Sequence, residues 1–321
     1  MDITLADELT DTTAAPLPTD DVTVELPKRP EPISAGSMLA GLIADISKAH
    51  TKHLAGEWTG GIRCGIHLLD TTLRGFRPAS VSYLLAPPNV GKSTLANQIA
   101  YQVAAFPGQS AAAFYISYEN PPENLLIKQI ARLSGWTQTD IDTGVIDTKD
   151  KHFEGAITAL STAPIYYMAG GKNVSFGDIR RATETVKTES GAEYVFCIID
   201  YLQYFAKAST DKESRYEQVN EAVVCMRELA NLTKCHVMVI SSQNRAENLK
   251  PDAGKGMHGA TGSGDVEYDA DLMLTLAPKS ENDHKHLFLT ATKTRYGGKH
   301  KSAALIFDED RASFAVEGDP E

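Results

Sequence analysis

The stretch of sequence that decides the fold is residues 86–93, which read Ala-Pro-Pro-Asn-Val-Gly-Lys-Ser. An apolar run over 81–85 precedes this stretch, and a pattern typical of a helix begins at Thr94. A strand that ends in a tight turn and opens a helix leaves several main-chain N–H groups unpaired, with the positive end of the helix dipole behind them. The sequence therefore predicts a loop that binds a polyphosphate.

The residues of this loop suit the separate parts of a nucleotide. Gly91 lets the main chain close around the β-phosphate, Lys92 neutralises the β and γ oxygens, and Ser93 offers its hydroxyl to Mg²⁺. Ala86 stands where the motif usually has its first glycine. An ordinary Gly-Lys helix start is therefore the alternative, and the preceding strand and following helix argue against it. The residues expected to contact the nucleotide are Asn89, Val90, Gly91, Lys92, Ser93 and Thr94.

Composition limits the class of protein. A chain of 321 residues, 42% of them hydrophobic, is long enough for one large α/β domain or two modest ones. The net charge of −11 argues against a broadly basic nucleic-acid surface, so DNA would be held by local loops or by a surface built in an oligomer. The four cysteines show no CxxC spacing, which favours reduced, buried thiols over metal ligands or disulfides. An acidic N-terminus and the lack of any apolar run of about 18 residues predict a cytosolic protein with no membrane partner.

The chain is expected to have three parts. Residues 1–36 hold five prolines among acidic residues and threonines, a composition typical of a disordered tail. Apolar residues then recur at three- and four-residue spacing, which predicts an amphipathic helix over 37–55 whose apolar stripe packs on its own domain or on a neighbouring subunit. From residue 56 strands and helices alternate, and from residue 272 strand follows strand. The fold class expected for 56–321 is therefore α/β, a mostly parallel twisted sheet with helices on both faces and antiparallel C-terminal strands.

Polar residues that follow buried strands complete the predicted site, because ligands of such sheets lie at the carboxyl ends of the strands. Glu119 follows the second strand and is placed to polarise the water that attacks the γ-phosphate, unless it only starts the helix at Pro122. Asp200 ends a continuous apolar strand, as expected of a carboxylate that orders Mg²⁺, although a strand-terminal aspartate often caps the next helix. Gln243 follows a further strand, and its amide is placed to sense the γ-phosphate.

These blocks resemble the DnaB type of replicative hexameric helicase, whose motor domain has the RecA fold. The resemblance spans about residues 55–316 and includes the Ala-x-Pro start of the loop, where that family also lacks the first glycine. The matching blocks are GI at 65–66, LD at 69–70, GF at 75–76, SYE at 117–119, IDYLQ at 199–203, SQNR at 242–245, SGDVEYDAD at 263–271 and KTR at 293–295 with Gly297.

The resemblance implies an ATPase that uses ATP and Mg²⁺, and it assigns the roles given above to the loop, to Glu119, to Asp200 and to Gln243. It adds Arg295, which with Lys293 would reach into the site of the neighbouring subunit as an arginine finger. A guanidinium that arrives from outside stabilises charge on the transferred phosphoryl group and couples hydrolysis to the subunit interface. Without the resemblance, a Lys-x-Arg pair on a strand is more often a solvated pair of charges.

DNA is expected on two loops that the resemblance places around the central channel of a ring, at about 207–215 and 248–262. Flexible basic loops suit the tracking of phosphates without the reading of bases, although solvated loops of any protein look the same. The basic residues concerned are Lys207, Lys212, Arg215, Lys250, Lys255 and His258.

The resemblance also predicts the assembly. The helix over 37–55 looks like the family's linker helix, which docks on the adjacent protomer, so a homo-oligomer, as a hexamer, is expected, with single-stranded DNA and replisome proteins as further partners. Only the acidic tail precedes this helix, so the family's helical N-terminal domain is expected to be absent, and the resemblance does not extend to primase docking or ring loading. A chain of linker and motor fits a compact helicase in the cytoplasm of a bacterium or of a phage-infected host.

The expected function is that of an ATP-driven ring helicase that translocates on single-stranded DNA and unwinds duplex DNA during replication. A RecA-like recombination ATPase that assembles on single-stranded DNA is the first alternative, and the IDYLQ block and the linker helix favour the helicase over it. A KaiC-like regulatory ATPase that does not bind DNA is the second alternative, which the basic loops weakly oppose.

Overall fold

The computed structural model describes residues 32–209, 214–242, 264–280, 283–297 and 301–317. Contacts divide the chain into a first unit that ends at Thr59 and a second unit that begins at Gly60.

The first unit contains helix α1, Ala35–Leu54, which begins at a serine cap. The Ser34 hydroxyl accepts a hydrogen bond from the main-chain N–H of Ser37 at 3.2 Å, which satisfies one of the N–H groups that the first turn leaves unpaired. A helix therefore occupies most of the predicted span of 37–55, and it begins two residues earlier than predicted. Its apolar side chains are between 52% and 59% exposed: Met38, Leu39, Leu42, Ile43 and Ile46. Residues 1–31, most of the predicted disordered tail, lie outside the described residues.

The second unit alternates strands and helices up to its sixth strand and then continues as strands. A short π-helix at Leu68–Thr72 precedes β1 at Ser80–Ala86, α2 at Lys92–Ala104, β2 at Ala111–Ser117, α3 at Pro122–Ser134, α4 at Gln138–Asp142, α5 at Lys151–Thr162, β3 at Ile165–Ala169, α6 at Phe176–Ser190 and β4 at Tyr194–Asp200. The chain continues with α7 at Leu202–Ser209, α8 at Arg215–Thr233, β5 at His236–Ser242, α9 at Gly264–Asp269, β6 at Leu272–Pro278, β7 at His286–Thr294, β8 at Ser302–Asp308 and β9 at Ser313–Val316. Within the described ranges, none of the helices combines the length and the apolar character that a membrane span needs.

Nine strands of the described part of the chain form a single sheet, in the order β3-β2-β4-β5-β1-β6-β7-β8-β9. In this spatial order, each pair of neighbouring strands from β3 through β2, β4, β5 and β1 to β6 is parallel. The pairs β6·β7, β7·β8 and β8·β9 are antiparallel. Strands β1 and β2 are buried along their whole length, as expected of parallel strands that helices cover on both faces. The predicted fold class is confirmed.

The core lies on both faces of the sheet, because successive side chains of a strand point to opposite sides. On β2, Tyr115 belongs to the cluster that packs against α2, whereas Phe114 belongs to the cluster that packs against α6 and α8. The cysteines are free thiols and are buried or half-buried, as predicted.

The ends of the central strands define two separate places on this sheet. At the carboxyl end, Ser117 of β2 is level with Asp200 of β4, and Ala86 ends β1 beside the end of β5. At the amino end, Leu272 begins β6 beside Thr294, the last residue of β7. Side chains that follow β1, β2 and β4 therefore share one end of the sheet, and the residues that follow β7 lie at the other.

Candidate active site

The loop between β1 and α2 has the main-chain conformation of a phosphate-binding turn. Asn89 and Gly91 both have a positive φ, of 64° and 84°, and Gly91 is the N-cap of α2. No side chain of the described residues caps α2. The N–H groups of its first turn are therefore available to an anionic ligand, with the helix dipole behind them.

Gly91 is required at its position by two constraints. Its φ lies in the region that side chains disfavour, and a Cβ built on it would lie 2.8 Å from Cζ of Phe314 and 3.1 Å from Cζ of Phe307. The two phenyl rings stack with their centroids 4.4 Å apart. The main chain of Phe314 also exchanges two hydrogen bonds of 2.8 Å with the side-chain amide of Gln98 in α2. Strands β8 and β9 therefore pack directly against the loop.

The Lys92 ammonium lies among the charged groups of the site. Nζ donates a 3.0 Å hydrogen bond to the main-chain oxygen of Pro87, so the side chain folds back over its own loop. Partial burial lowers the pKa of Lys92, and the negative charges of Asp200 and Glu119 oppose that shift. The structure thus brings three residues predicted to act on a nucleotide within electrostatic reach of one another.

Asp200 ends β4 and is fully buried. Its Oδ2 accepts a 2.7 Å hydrogen bond from the Tyr115 hydroxyl, whereas Oδ1 has no hydrogen-bond partner in the described part of the chain. Burial raises the pKa of Asp200, while the Tyr115 and Ser93 side chains lower it and the charge of Glu119 raises it further. The peptide bond that follows Asp200 is cis. Among the described residues, neither carboxylate oxygen accepts a hydrogen bond from the first turn of α7. Asp200 therefore does not cap that helix.

Glu119 is exposed in the turn between β2 and α3. Helix α3 has Pro121 as its N-cap, with no side-chain hydrogen bond there, so Glu119 does not serve as a cap. A residue that was not predicted, Lys128 of α3, belongs to the same site. Partial burial lowers the pKa of Lys128, and the charges of Asp200 and Glu119 oppose that shift. Two cations, Lys92 and Lys128, therefore face the same pair of carboxylates.

The sequence carries one signal that could have identified Lys128. The residue follows the buried Leu125 by three positions and directly precedes the buried Gln129, so it lies on the inward stripe of α3. A lysine on such a stripe needs a carboxylate or phosphate partner, because burial of an unpaired charge is unfavourable. The identity of that partner depends on which strands lie below the helix.

The oxygen ligands of the site fit a magnesium ion. The Ser93 side chain is close enough to the Asp200 carboxylate to lower its pKa, and Oδ1 of Asp200 is buried without a protein partner among the described residues. Protein sites for Mg²⁺ commonly supply one or two oxygens and leave the rest of the octahedron to phosphates and water. Within the described ranges, no group of three or more His, Cys, Asp or Glu side chains is arranged to hold a metal ion.

Arg295 lies at the opposite end of the sheet from the phosphate loop. Its main-chain N–H donates to the carbonyl oxygen of Asp271 at 2.9 Å, and the Asp271 carboxylate accepts a 2.9 Å hydrogen bond from the N–H of Val81 near the start of β1. From Val81 to Ala86 the strand rises about 17 Å, at about 3.3 Å per residue. Arg295 therefore does not reach the loop of its own chain.

The Arg295 guanidinium is held in place by its neighbours. Nη1 donates to Oδ1 of Asp271 and Nη2 to the main-chain oxygen of Tyr268, both at 2.9 Å. The Asp271 carboxylate, 5% exposed, also accepts a 2.6 Å hydrogen bond from Nη1 of Arg227, which in turn binds Oδ1 of Asp269 through Nε at 2.9 Å. The Arg295 side chain remains 50% exposed. The guanidinium is therefore oriented by the protein and still accessible from outside.

Lys293 lies beside Arg295, where its Nζ donates to the main-chain oxygens of Glu267 and Tyr268. Both residues of the predicted Lys-x-Arg pair thus bind acceptors on α9 and next to it. The ordering role of Arg227 was not predicted, because nothing in the amphipathic pattern of α8 distinguishes this arginine from a solvated one.

Several predicted residues fall outside the part of the chain that the structure describes. They are Lys212, Gln243, Lys250, Lys255 and His258. Two others are described, and they correct the extent of the first predicted DNA loop. Lys207 lies within α7 and Arg215 is the first residue of α8, so both are helical. In α7 the buried Ala206 continues the inward stripe up to Lys207. Helix α8 begins after its N-cap Ser214, whose main-chain oxygen accepts a hydrogen bond from the N–H of Gln218.

Comparison with known proteins places the chain in a family. A family model described as the DnaB-like helicase C terminal domain matches residues 61–316. The chain is 29% identical over 222 residues to the replicative DNA helicase DnaB of Geobacillus stearothermophilus, a match that covers 69% of this chain and 48% of that protein. The chain spans about half the length of the curated relatives it matches.

Two solved structures share the fold. One is described as an ATPase domain; it superposes with a TM-score of 0.75 at 20% identity, covering 89% of this chain and 99% of that one. A DnaB-like replicative helicase, described with its interactions with primase, gives a TM-score of 0.73 at 19% identity, covering 89% of this chain and 67% of that one. At such identities the likeness shows the fold alone, whereas the family model covers most of the sequence and favours the helicase over the RecA-like recombination ATPase. The chain belongs to the DnaB-like helicase C terminal domain family.

Proposed function

We propose that this chain is an ATP-driven motor that forms a ring, translocates on single-stranded DNA and unwinds duplex DNA during replication. The observation that carries the proposal is the position of Arg295, which lies at the other end of the sheet from the phosphate loop of its own chain. A site that needs both parts is complete only where two subunits meet. Repeated head-to-tail contacts of this kind close into a ring when the rotation between subunits allows it.

Within one subunit, each residue at the carboxyl end of the sheet has a separate role in ATP hydrolysis. The N–H groups at the start of α2 and the Lys92 ammonium would bind the phosphates, and Ser93 and Asp200 would hold Mg²⁺. When bound, this ion neutralises charge on the β- and γ-phosphate oxygens. The Glu119 carboxylate accepts a hydrogen bond from the attacking water and so orients it towards the γ-phosphate. Lys128 supplies a second positive charge on the side of the site formed by α3.

Arg295 of the neighbouring subunit completes the site. Its guanidinium stabilises charge that develops on the transferred phosphoryl group, and hydrolysis then depends on the contact between subunits. The Asp271 carboxylate keeps the guanidinium in one orientation, which reduces the cost of ordering it at the interface. Lys293, which lies beside Arg295, would reach into the same site of the neighbouring subunit. Helix α1 would support the same assembly by docking as a linker helix, through its exposed apolar stripe, on the adjacent protomer of a hexamer.

The remaining partners follow from family membership. Single-stranded DNA would bind the segment between α7 and α8, with Lys207 and Arg215 in the helices that flank it, and the segment at about 248–262. Gln243 would report the γ-phosphate to the second segment. Replisome proteins are further candidates, since a DnaB-like replicative helicase is described with its interactions with primase. These events would take place in the cytoplasm.

The proposal is tested by the unwinding of a forked duplex with a 5′ single-stranded tail, together with the particle mass in a non-hydrolysable ATP analogue and single-stranded DNA. Six chains of 34.8 kDa predict a closed particle of about 209 kDa. Strand separation should require ATP and be lost in the Lys92→Ala variant. Turnover of ATP without strand separation, by particles that electron micrographs show as filaments, would overturn the proposal in favour of a recombination ATPase.

A further inference from the structure

Tyr115 connects the phosphate loop with the strand that carries Asp200. Its ring is fully buried on the face of β2 that α2 covers. Its hydroxyl donates to Oδ2 of Asp200 at 2.7 Å and lies 3.5 Å from the main-chain oxygen of Ser93. Strands β2 and β4 are neighbours in which Tyr115 is level with Ile198. The hydroxyl therefore reaches two residues further along β4, to its carboxyl end.

This contact makes the two oxygens of the Asp200 carboxylate different from each other. Oδ2 is held by the Tyr115 hydroxyl, whereas Oδ1 is buried without a hydrogen-bond partner among the residues that the structure describes. The terminal torsion of an aspartate has broad minima, so an unrestrained carboxylate rotates easily. A hydrogen bond to one oxygen selects one orientation. In this orientation Oδ1 is the oxygen left for a ligand.

Packing alone does not require a tyrosine at this position, because a phenylalanine ring would fill the same volume in the apolar cluster. A hydroxyl buried in such surroundings is unfavourable unless it finds a partner, and here that partner is a carboxylate. A phenol is protonated at neutral pH, so the hydroxyl is the donor and the carboxylate oxygen the acceptor in this contact.

We propose that Tyr115 is a positioning residue that holds the Asp200 carboxylate through Oδ2 and thereby presents Oδ1 to the Mg²⁺ that accompanies the nucleotide. This inference rests on the proposed role of Asp200 at the magnesium site. Tyr115 acts through Asp200 and does not touch the nucleotide. Loss of a partner that orients a metal-ligating carboxylate typically lowers metal affinity or activity by about 10- to 100-fold.

The chain offers a matched control for the Tyr115→Phe variant. Tyr167 of β3 lies beside Tyr115, with ring centroids 6.1 Å apart, but its hydroxyl donates to Oδ1 of Asn97 at 3.0 Å and not to Asp200. Each variant removes one hydroxyl from the same region. The measurement is the binding of a fluorescent ADP analogue to the full chain during titration with Mg²⁺, which reports the metal without requiring hydrolysis.

We expect Tyr115→Phe to raise the Mg²⁺ concentration at half-maximal nucleotide affinity by about tenfold. Binding of the same analogue in EDTA should change by less than about twofold, because the phosphate loop itself is intact. Tyr167→Phe should leave the Mg²⁺ midpoint within about twofold of wild type, since its hydroxyl does not restrain a metal ligand. A midpoint of Tyr115→Phe that equals that of wild type, or a shift of the same size in Tyr167→Phe, overturns the inference.

A third variant, Asp200→Asn, separates this inference from the proposed magnesium site. If Asp200→Asn shifts the midpoint and Tyr115→Phe does not, the role of Tyr115 is refuted and the site stands. If neither variant shifts it, both are refuted. Should circular dichroism show that Tyr115→Phe is misfolded, Tyr115→Met also lacks the hydroxyl and carries the same expected shift and the same refutation.

Discussion

The proposed action of Arg295 across the subunit interface predicts how mixed rings behave. Lys92→Ala removes the ammonium from the loop of its own subunit, whereas Arg295→Ala removes the guanidinium that serves the next one. Each variant alone is expected to be almost inactive, since an arginine finger contributes about 10³- to 10⁵-fold to kcat. The separation of about 17 Å along β1 prevents Arg295 from completing the loop of its own chain.

The expected activity of a mixture follows from the number of complete interfaces. In a 1:1 mixture of the two variants, half of the loops retain Lys92 and half of the neighbours supply Arg295, so about one quarter of the interfaces are complete. After subunit exchange, phosphate release should therefore recover to about one quarter of the wild-type rate. If Arg295 acted on its own chain, no complete site would exist at any ratio.

A matched mixture controls for coupling between the sites of a ring. Wild type mixed 1:1 with the double variant Lys92→Ala, Arg295→Ala also leaves about one quarter of the interfaces complete. A strictly sequential ring would lose activity in both mixtures. The trans role of Arg295 is refuted if the control mixture keeps about one quarter of the wild-type rate while the mixture of single variants stays inactive.

Three further changes test the rest of the site. Glu119→Gln should retain ATP binding but lower kcat by about 10²- to 10⁴-fold, measured by equilibrium binding and phosphate release, and weak binding would contradict a role limited to the water. Lys128→Ala should lower kcat by about tenfold or more. The control is Lys187→Ala, which changes an exposed lysine near the amino end of β5 and should leave kcat unchanged. If the two variants have the same kcat, Lys128 does not take part in the site. Gly91→Ala should lower the free energy of unfolding in urea by about 2–4 kcal/mol, from its positive φ and its contact with β9. Gly108→Ala also has a positive φ but open space around its Cβ, so it should lose only about 1–2 kcal/mol, and equal losses would contradict the contact with β9.

The parts of the fold and site that could be predicted are those with local signals. The turn at Gly91 follows an apolar strand and opens a helix, and this order can be recognised within about fifteen residues. Asp200 directly follows an apolar run, which is enough to place it at the carboxyl end of a strand. Alternation of strands and helices indicates a parallel sheet because a parallel pair needs a crossover connection.

The parts that could not be predicted depend on neighbours that are distant in the sequence. Lys128 faces Asp200 only because α3 packs near the end of β4, and the sequence of α3 does not contain that information. The order of strands places β4 next to β2 although β3 lies between them in the chain. This order brings the Tyr115 hydroxyl to Asp200, a residue 85 positions away.

By itself, the sequence predicted a polyphosphate-binding loop between a strand and a helix, and it determined that carboxylates follow the neighbouring strands. It could do so because that chemistry resides in a main-chain turn and in short-range spacing. Only the tertiary structure decided that one oxygen of Asp200 is held while the other has no hydrogen-bond partner among the described residues. It also decided that Asp271 holds Arg295 at the end of the sheet opposite the loop of its own chain. Both outcomes depend on strand order, register and the packing of helices on the sheet, which no local pattern of residues specifies.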